Sequence, residues 1–430
     1  MKINILSFFL LVCVNVFAQQ TPANKQNKTI LILGGIAHLG NGNIIQNSLI
    51  SLANGKIVAI GDATIMKPVA HDITIDASGK HIYPGFIAPN STLGLVEIDA
   101  VRSTDDESEI GEMNPHIRSL IAYNTESKIT ETARPNGVLL AQITPRGGRI
   151  SGRSSVVQLD AWNWEDAVIA SDNGLHITWP RGFTRSGTWS EPGNLEANKK
   201  YEDQINQLQQ FFNNSLGYNS NTNNKKDLPY QAMESFQNGT NRIYVEVNGE
   251  KEMIDAITFK QKNNIKKMTF VGGYYAYKMM DLLLKNDISI LLNRVHSLPL
   301  LEDHDPNQPF KNAKLLSDKG ILVGLQNAGD MERMQIRNLP FNAGTCVAWG
   351  MDKEAALQLI TLNNAKILGI NELYGSLEIG KSATLFISEG DALDMKTNKI
   401  LNAFIDGRQI SLKSHQTELN DKYTQKYLAK

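Results

Sequence analysis

Cysteine is almost absent from this chain, which carries 2 in 430 residues, Cys13 and Cys346. The first falls in a segment expected to be removed, so Cys346 alone remains and no intrachain disulfide can form; the core must hold by packing. Excess charge is missing too. Lys+Arg 43 against Asp+Glu 44 leaves a net charge of −1, which gives no electrostatic footprint for nucleic acid or an anionic membrane. No Gly-x-Gly-x-x-Gly follows an early strand, and no Ser stands in Gly-x-Ser-x-Gly, so neither a dinucleotide fold nor a serine hydrolase has support. Apolar runs long enough to approach a membrane span are confined to the beginning. Met1 to Ala18 has one cation at Lys2, an apolar run from Ile3 to Phe17, and Val16-Phe17-Ala18 before Gln19-Gln20. This pattern predicts a secretory signal peptide cleaved after Ala18, and hence a periplasmic or secreted protein. The run is shorter than the roughly 18–20 residues a span needs, so no membrane association is expected after cleavage. Val12 before Cys13 does not fit a lipoprotein site.

The remaining roughly 410 residues suffice for one large domain and a small one. Thr29-Ile30-Leu31-Ile32-Leu33, Leu49 to Leu52 and Lys56 to Ile60 read as short strands, with Ala53-Asn54-Gly55 between the last two as a hairpin turn. Asp72 to Asp76 alternates as a further strand. So few short strands cannot bury both faces alone. The C-terminal runs Ala383 to Ile387, Ile400 to Ile405 and Gln409 to Leu412 offer the missing partner, which predicts a composite β-sandwich from residues 19–80 and 375–415. Between the ends, Val138 to Ile143, Ile243 to Val247, Met268 to Val271, Ile288 to Leu292 and Ile321 to Leu325 are near-continuous apolar runs, as in strands buried on both faces. Helical periodicity fills the gaps at 252–262, 275–284, 312–318 and 354–367. The reading is an α/β chain with a (β/α)8 TIM-like barrel over residues 81–374, with a doubly wound sheet as the alternative. Asn213 to Asn224 reads as an exposed polar insertion, and residues 416–430 as a C-terminal tail.

Tyr83-Pro84-Gly85-Phe86-Ile87-Ala88-Pro89-Asn90-Ser91-Thr92 marks the entry to that barrel. The run resembles the first barrel strand of the metal-dependent amidohydrolase superfamily, imidazolonepropionase-like branch. There, Pro-Gly-Phe-Ile-Asp-x-His-x-His supplies two metal-binding histidines. The resemblance covers about residues 28 to 412. Its most specific parts are Asn338 to Gly344, Glu354-Ala355-Ala356-Leu357, Thr361 to Gly369 and Gly375 to Ala383, which carry fold rather than catalysis. It implies hydrolysis of C–N bonds other than peptide bonds, on cyclic amide or dipeptide-like substrates, with a divalent metal such as zinc. In this chain Ala88 stands at the Asp position, and Asn90 and Thr92 at the histidine positions, so the expected ligands are absent. Zinc-type ions take imidazole nitrogens and carboxylates, and neutral oxygens serve them poorly.

What remains at expected strand ends is Glu246 at strand five, His296 and Arg294 in Asn293-Arg294-Val295-His296, and Asp330 after strand eight. Glu246, His296 and Asp330 are the candidate catalytic residues; Asn90, Thr92, Arg294 and Arg149 are the candidate substrate contacts. A lone Glu in an apolar strand reads first as a satisfied interior residue. The other histidines do not cluster by spacing, His116 and His176 being isolated in sequence. Gly147-Gly148-Arg149-Ile150-Ser151-Gly152-Arg153-Ser154 approaches phosphate-loop spacing, but a strand-like run follows where a helix is required. Arg146, Arg149 and Arg153 there suit a carboxylate instead. Two functions stay open: an amidohydrolase with an atypical site, and an inactive homologue serving as a binding or partner subunit, for instance to a homologous amidohydrolase. Oligomerisation is compatible with both.

Overall fold

The computed structural model describes residues 21–188, 190–219, 226–299, 301, 303–329 and 331–428. The expected signal peptide and Asp330 lie outside the described residues. Among the described residues, no helix is long and apolar enough to cross a membrane.

Eight strands form the barrel sheet: β1 (Phe86–Ser91), β2 (Val138–Ile143), β3 (Ile150–Gln158), β4 (Val168–Thr178), β5 (Arg242–Val247), β6 (Met268–Gly272), β7 (Ile288–Leu292) and β8 (Val323–Leu325). They pair in the order β8-β7-β6-β5-β4-β3-β2-β1. All neighbours are parallel except that β3 runs antiparallel to both β2 and β4. The cause is the short Thr144–Arg149 connection, since a parallel return needs a crossover of a dozen residues or more. The barrel is therefore of the (β/α)8 kind with one reversed strand. Alternation sets its two faces. Ile243, Val245 and Val247 of β5 pack outward into the main core, while Tyr244 packs inward with Ile87, Leu140, Val156, Val271 and Leu291. Glu246 shares the inward register of Tyr244.

No ladder joins β1 to β8. The gap is bridged by the segment that enters and forms the helix Leu362–Leu368. Ile87 N donates to Ile360 O (2.9 Å) and Leu325 N to Leu359 O (2.9 Å). Asn364, fully buried, donates through Nδ2 to both Ile87 O (2.8 Å) and Leu325 O (3.0 Å). One side chain thus substitutes for the missing ladder, satisfying acceptors that would otherwise be buried unpaired.

The chain's two ends share one sheet. Its order runs Arg408–Gln409, Ile400–Ile405, Leu385–Ser388, His81–Pro84, Ile30–His38, Ile44–Ala53 and Lys56–Asp62, with Ile73–Asp76 also on Ile30–His38. Leu385 to Ser388 pair antiparallel with Pro84 to His81. Ile32, Ile50, Leu52, Ile57, Leu385 and Phe404 form its core. The polar insertion expected at Asn213–Asn224 is corrected for its described part: Tyr201–Asn219 is one helix. Leu208 and Phe212 anchor it in the core and Ser215 is buried, so packing overrides the weak propensity of its Asn-rich end.

Candidate functional site

The site is built where β1 ends. Asn90 has φ 54, a left-handed conformation that Asn tolerates better than most side chains, and the β1–β2 register is broken between Ala88 and Ser91. This irregularity turns Asn90 into the mouth, where it is held on every side. Asn90 N donates to Gln142 Oε1 (3.0 Å) and Asn90 Nδ2 to Gln326 Oε1 (2.6 Å). Arg146 donates through Nη1 to Asn90 Oδ1 (3.0 Å) and through Nη2 to Asn90 O (2.8 Å). The same Nη2 reaches Glu332 Oε2 (3.0 Å), and Thr92 N donates to Glu332 Oε1 (2.7 Å). Thr92 Oγ1 is buried without a partner.

The network continues inward. Gln142 Nε2 donates to Ser154 Oγ (2.9 Å), and Ser154 Oγ lies 2.8 Å from His176 Nε2. Ser154 Oγ, with one proton and two lone pairs, thus links Gln142, His176 and Gly174 O (3.4 Å). His176 is buried and stacked on Tyr244 with centroids 4.8 Å apart. Burial, and then the charge of Arg146, hold its pKa well below the ordinary 6.5. On the other side Gln326 Nε2 donates to Asn293 Oδ1 (3.1 Å), and Asn293 Nδ2 to Asn248 Oδ1 (3.3 Å). A cavity of about 20 Å³ lies among Asn90, Arg146, His176, Thr178 and Glu246, room for about one water.

The expected site residues do not converge. Glu246 lines the cavity, yet it is exposed and its carboxylate has no partner among the described residues, which corrects its reading as a satisfied interior residue: its inward register carries it to the open end of β5. His296 is exposed and turns to the helix Leu339–Ala348, with Nε2 2.7 Å from Thr345 Oγ1; partial burial lowers its pKa. It shares no hydrogen-bond partner with Glu246. Arg294 donates to Gln335 Oε1 (3.2 Å), and Arg149 to Thr178 O (2.6 Å). Asn90 and Thr92 do sit at the mouth. Sequence reasoning passed over Gln142, Gln326, Glu332 and His176, although Leu140 and Gln142, like Ser154 and Val156, alternate toward the interior as strand parity requires.

The donor set does not suit a zinc-type ion. Asn90, Gln142, Gln326 and Thr92 are neutral, the one imidazole nitrogen facing them is occupied by Ser154, and a guanidinium lies against Asn90 where a dication would be repelled. Among the described residues no three His, Cys, Asp or Glu side chains are placed to hold a metal ion.

An eight-stranded barrel whose seam is closed by a C-terminal segment, flanked by a sheet built from both chain ends, defines the amidohydrolase-type architecture. The amidohydrolase family matches residues 311–410, the stretch that supplies the closing segment of this seam. The chain is 21% identical over 376 residues to the 5'-deoxyadenosine deaminase of Methanobrevibacter smithii, covering 82% of this chain and 81% of that one. An amidohydrolase from Thermotoga maritima superposes with a TM-score of 0.75 at 21% identity, covering 88% of this chain and 99% of that chain. A Xaa-Pro dipeptidase superposes with a TM-score of 0.53 at 15% identity, covering 89% and 99%.

Proposed function

We propose that this protein is an exported amidohydrolase homologue whose barrel mouth has lost its hydrolytic metal and which acts as a binding or partner subunit, a homologous amidohydrolase being the fitting partner. The observation that carries this reading is the environment of Asn90: at the place of a ligating imidazole stands an amide side chain bonded to Gln326 and Arg146, while the backbone N–H beneath it is bonded to Gln142. A hydrogen-bonded network of this kind resists rearrangement, because every member freed would be buried unpaired. The loops that leave the strands' C-terminal ends carry Ile98, Ile110, Leu298 and Met331, all more than half exposed, and a partner docking at the mouth would cover them.

Metal analysis tests the reading. Protein supplemented with zinc, manganese and iron, then dialysed, is expected to retain clearly less than one equivalent; a stoichiometric transition metal overturns the proposal. A second reading, a working hydrolase of C–N bonds resembling its deaminase and dipeptidase relatives, rests on the unpartnered carboxylate of Glu246 beside the cavity. Screening N-acyl amino acids, dipeptides and cyclic amides separates the two. Turnover by the wild type that disappears in Glu246→Gln favours the hydrolase. Export predicts a mature chain beginning at Gln19, read by N-terminal sequencing of protein from the native host.

A further inference from the structure

On the flank of the barrel, away from the Asn90 network, Arg153 of β3 lies beside Arg118 in a parallel bridge. Arg153 is the residue that stands for lysine in the phosphate-loop-like run, and its neighbour Ser154 points into the barrel toward His176, so Arg153 takes the outer face by strand parity. The bridge sets the two side chains on one side, rooted about 4.8 Å apart. Between them they have one close carboxylate. Arg118 Nε donates to Asp172 Oδ2 (2.7 Å). Arg153 makes a single long bond, from Nη2 to His116 O (3.3 Å), and its Nε is buried without a partner. His116 Nδ1 is likewise buried and unpartnered.

These groups open onto a cavity of about 590 Å³ that also takes in Gln231, Glu234 and Asn238, within the range of small-molecule sites. Two adjacent guanidiniums with one carboxylate leave an unbalanced positive charge and free fork donors, which is the arrangement that receives a second carboxylate bidentately. Glu234 supplies the opposite charge. It is exposed, it lines the same cavity, and no ion pair joins it to either arginine. A ligand that satisfies both ends carries a carboxylate and an ammonium group.

We propose that this flank cavity binds a zwitterion, a free amino acid or short peptide, with its carboxylate on Arg118 and Arg153 and its ammonium toward Glu234. Gln231 and Asn238 offer donors and acceptors to the body between. The site does not depend on the chemistry of the barrel mouth, and its ligand would be bound there unchanged.

Thermal melts of the full chain with 10 mM glycine, L-alanine, L-leucine, L-glutamine or L-alanyl-L-glutamine provide the first test, and at least one is expected to raise the melting temperature. Calorimetry then compares the strongest of these with its N-acetyl and carboxamide derivatives. Arg153→Gln is expected to weaken the zwitterion at least tenfold. Glu234→Gln is expected to weaken the zwitterion severalfold while leaving the N-acetyl compound, which lacks the ammonium, unchanged. Because Glu234 is exposed, that variant remains informative even where Arg153→Gln impairs folding. The proposal is overturned if none of the compounds shifts the melt, or if binding persists undiminished in both variants, which would place it elsewhere on the molecule.

Discussion

Strand β1 is treated differently at its two ends. At Ile87 it is tied to the C-terminal segment through backbone and the side chain of Asn364; at Asn90 it is tied to two amides and a guanidinium, and the carboxylate of Glu332 holds Thr92 N just beyond. The first arrangement closes a barrel, and its C-terminal half, Leu359 to Asn364, falls within the family-matched stretch. The second occupies the place where the superfamily's chemistry is expected. The difference lies in what holds each end: backbone bonds and one buried amide at the seam, and side-chain amides with a half-buried ion pair, Arg146 to Glu332, at the mouth.

The strongest way to break this contrast is at the seam. Asn364→Ala removes the donor shared by two buried carbonyls, and with each unsatisfied acceptor costing about 1–3 kcal/mol, a loss of about 2–4 kcal/mol is expected in urea unfolding. Gly324→Ala should act in the same direction, since a Cβ there runs into Asn364 Oδ1. A change below 1 kcal/mol in both would show that the backbone bonds of Leu359 and Ile360 close the barrel unaided.

A smaller effect is expected at the mouth, and it depends on pH. His176 has its pKa depressed by burial. The unfolded chain therefore takes up a proton near pH 6.5 while the folded chain does not, and the contribution to stability is complete above that value and drains away as the pH falls. His81, depressed by burial and by His38, adds the same sign. Melting temperatures are expected to drop between pH 7.5 and 5.5, and His176→Asn should flatten the slope. An unchanged slope would place the titration in other groups.

The smallest effect belongs to Glu246. Exposed and without a partner, its replacement by Ala should alter stability by no more than about 0.5 kcal/mol. A loss above 1.5 kcal/mol would reveal that the mouth holds this carboxylate as firmly as it holds Asn90.

Much of the fold was legible because buried parallel strands write themselves as apolar runs. Val138–Ile143 and Ile288–Leu292 fall where the sequence places them, and the pairing of the chain's ends follows from strands that cannot bury themselves alone. The reversal of β3 was legible in principle, in a connection too short for a helix. The helix Tyr201–Asn219 was hidden by its Asn and Gln content, since its few anchors act through tertiary contact. At the mouth, the sequence placed Asn90 and Thr92 where the resembling family carries its histidine pair. What surrounds them could not be read, because Gln142, Arg146, Gln326 and Glu332 meet only after the barrel has closed, and no spacing along the chain brings them together.

The Asn364 bridge also bears on how the chain is made. Ile87 and Asn364 are 277 residues apart, and at roughly 5–20 residues per second the ribosome needs about 14–55 s to deliver the second after the first. Through that interval β1 presents one apolar edge with nothing to pair it, and the parallel strands beside it form slowly because their contacts are distant in sequence. A chain interrupted before Asn364 therefore leaves that edge open, and an open strand edge is where chains pair with one another.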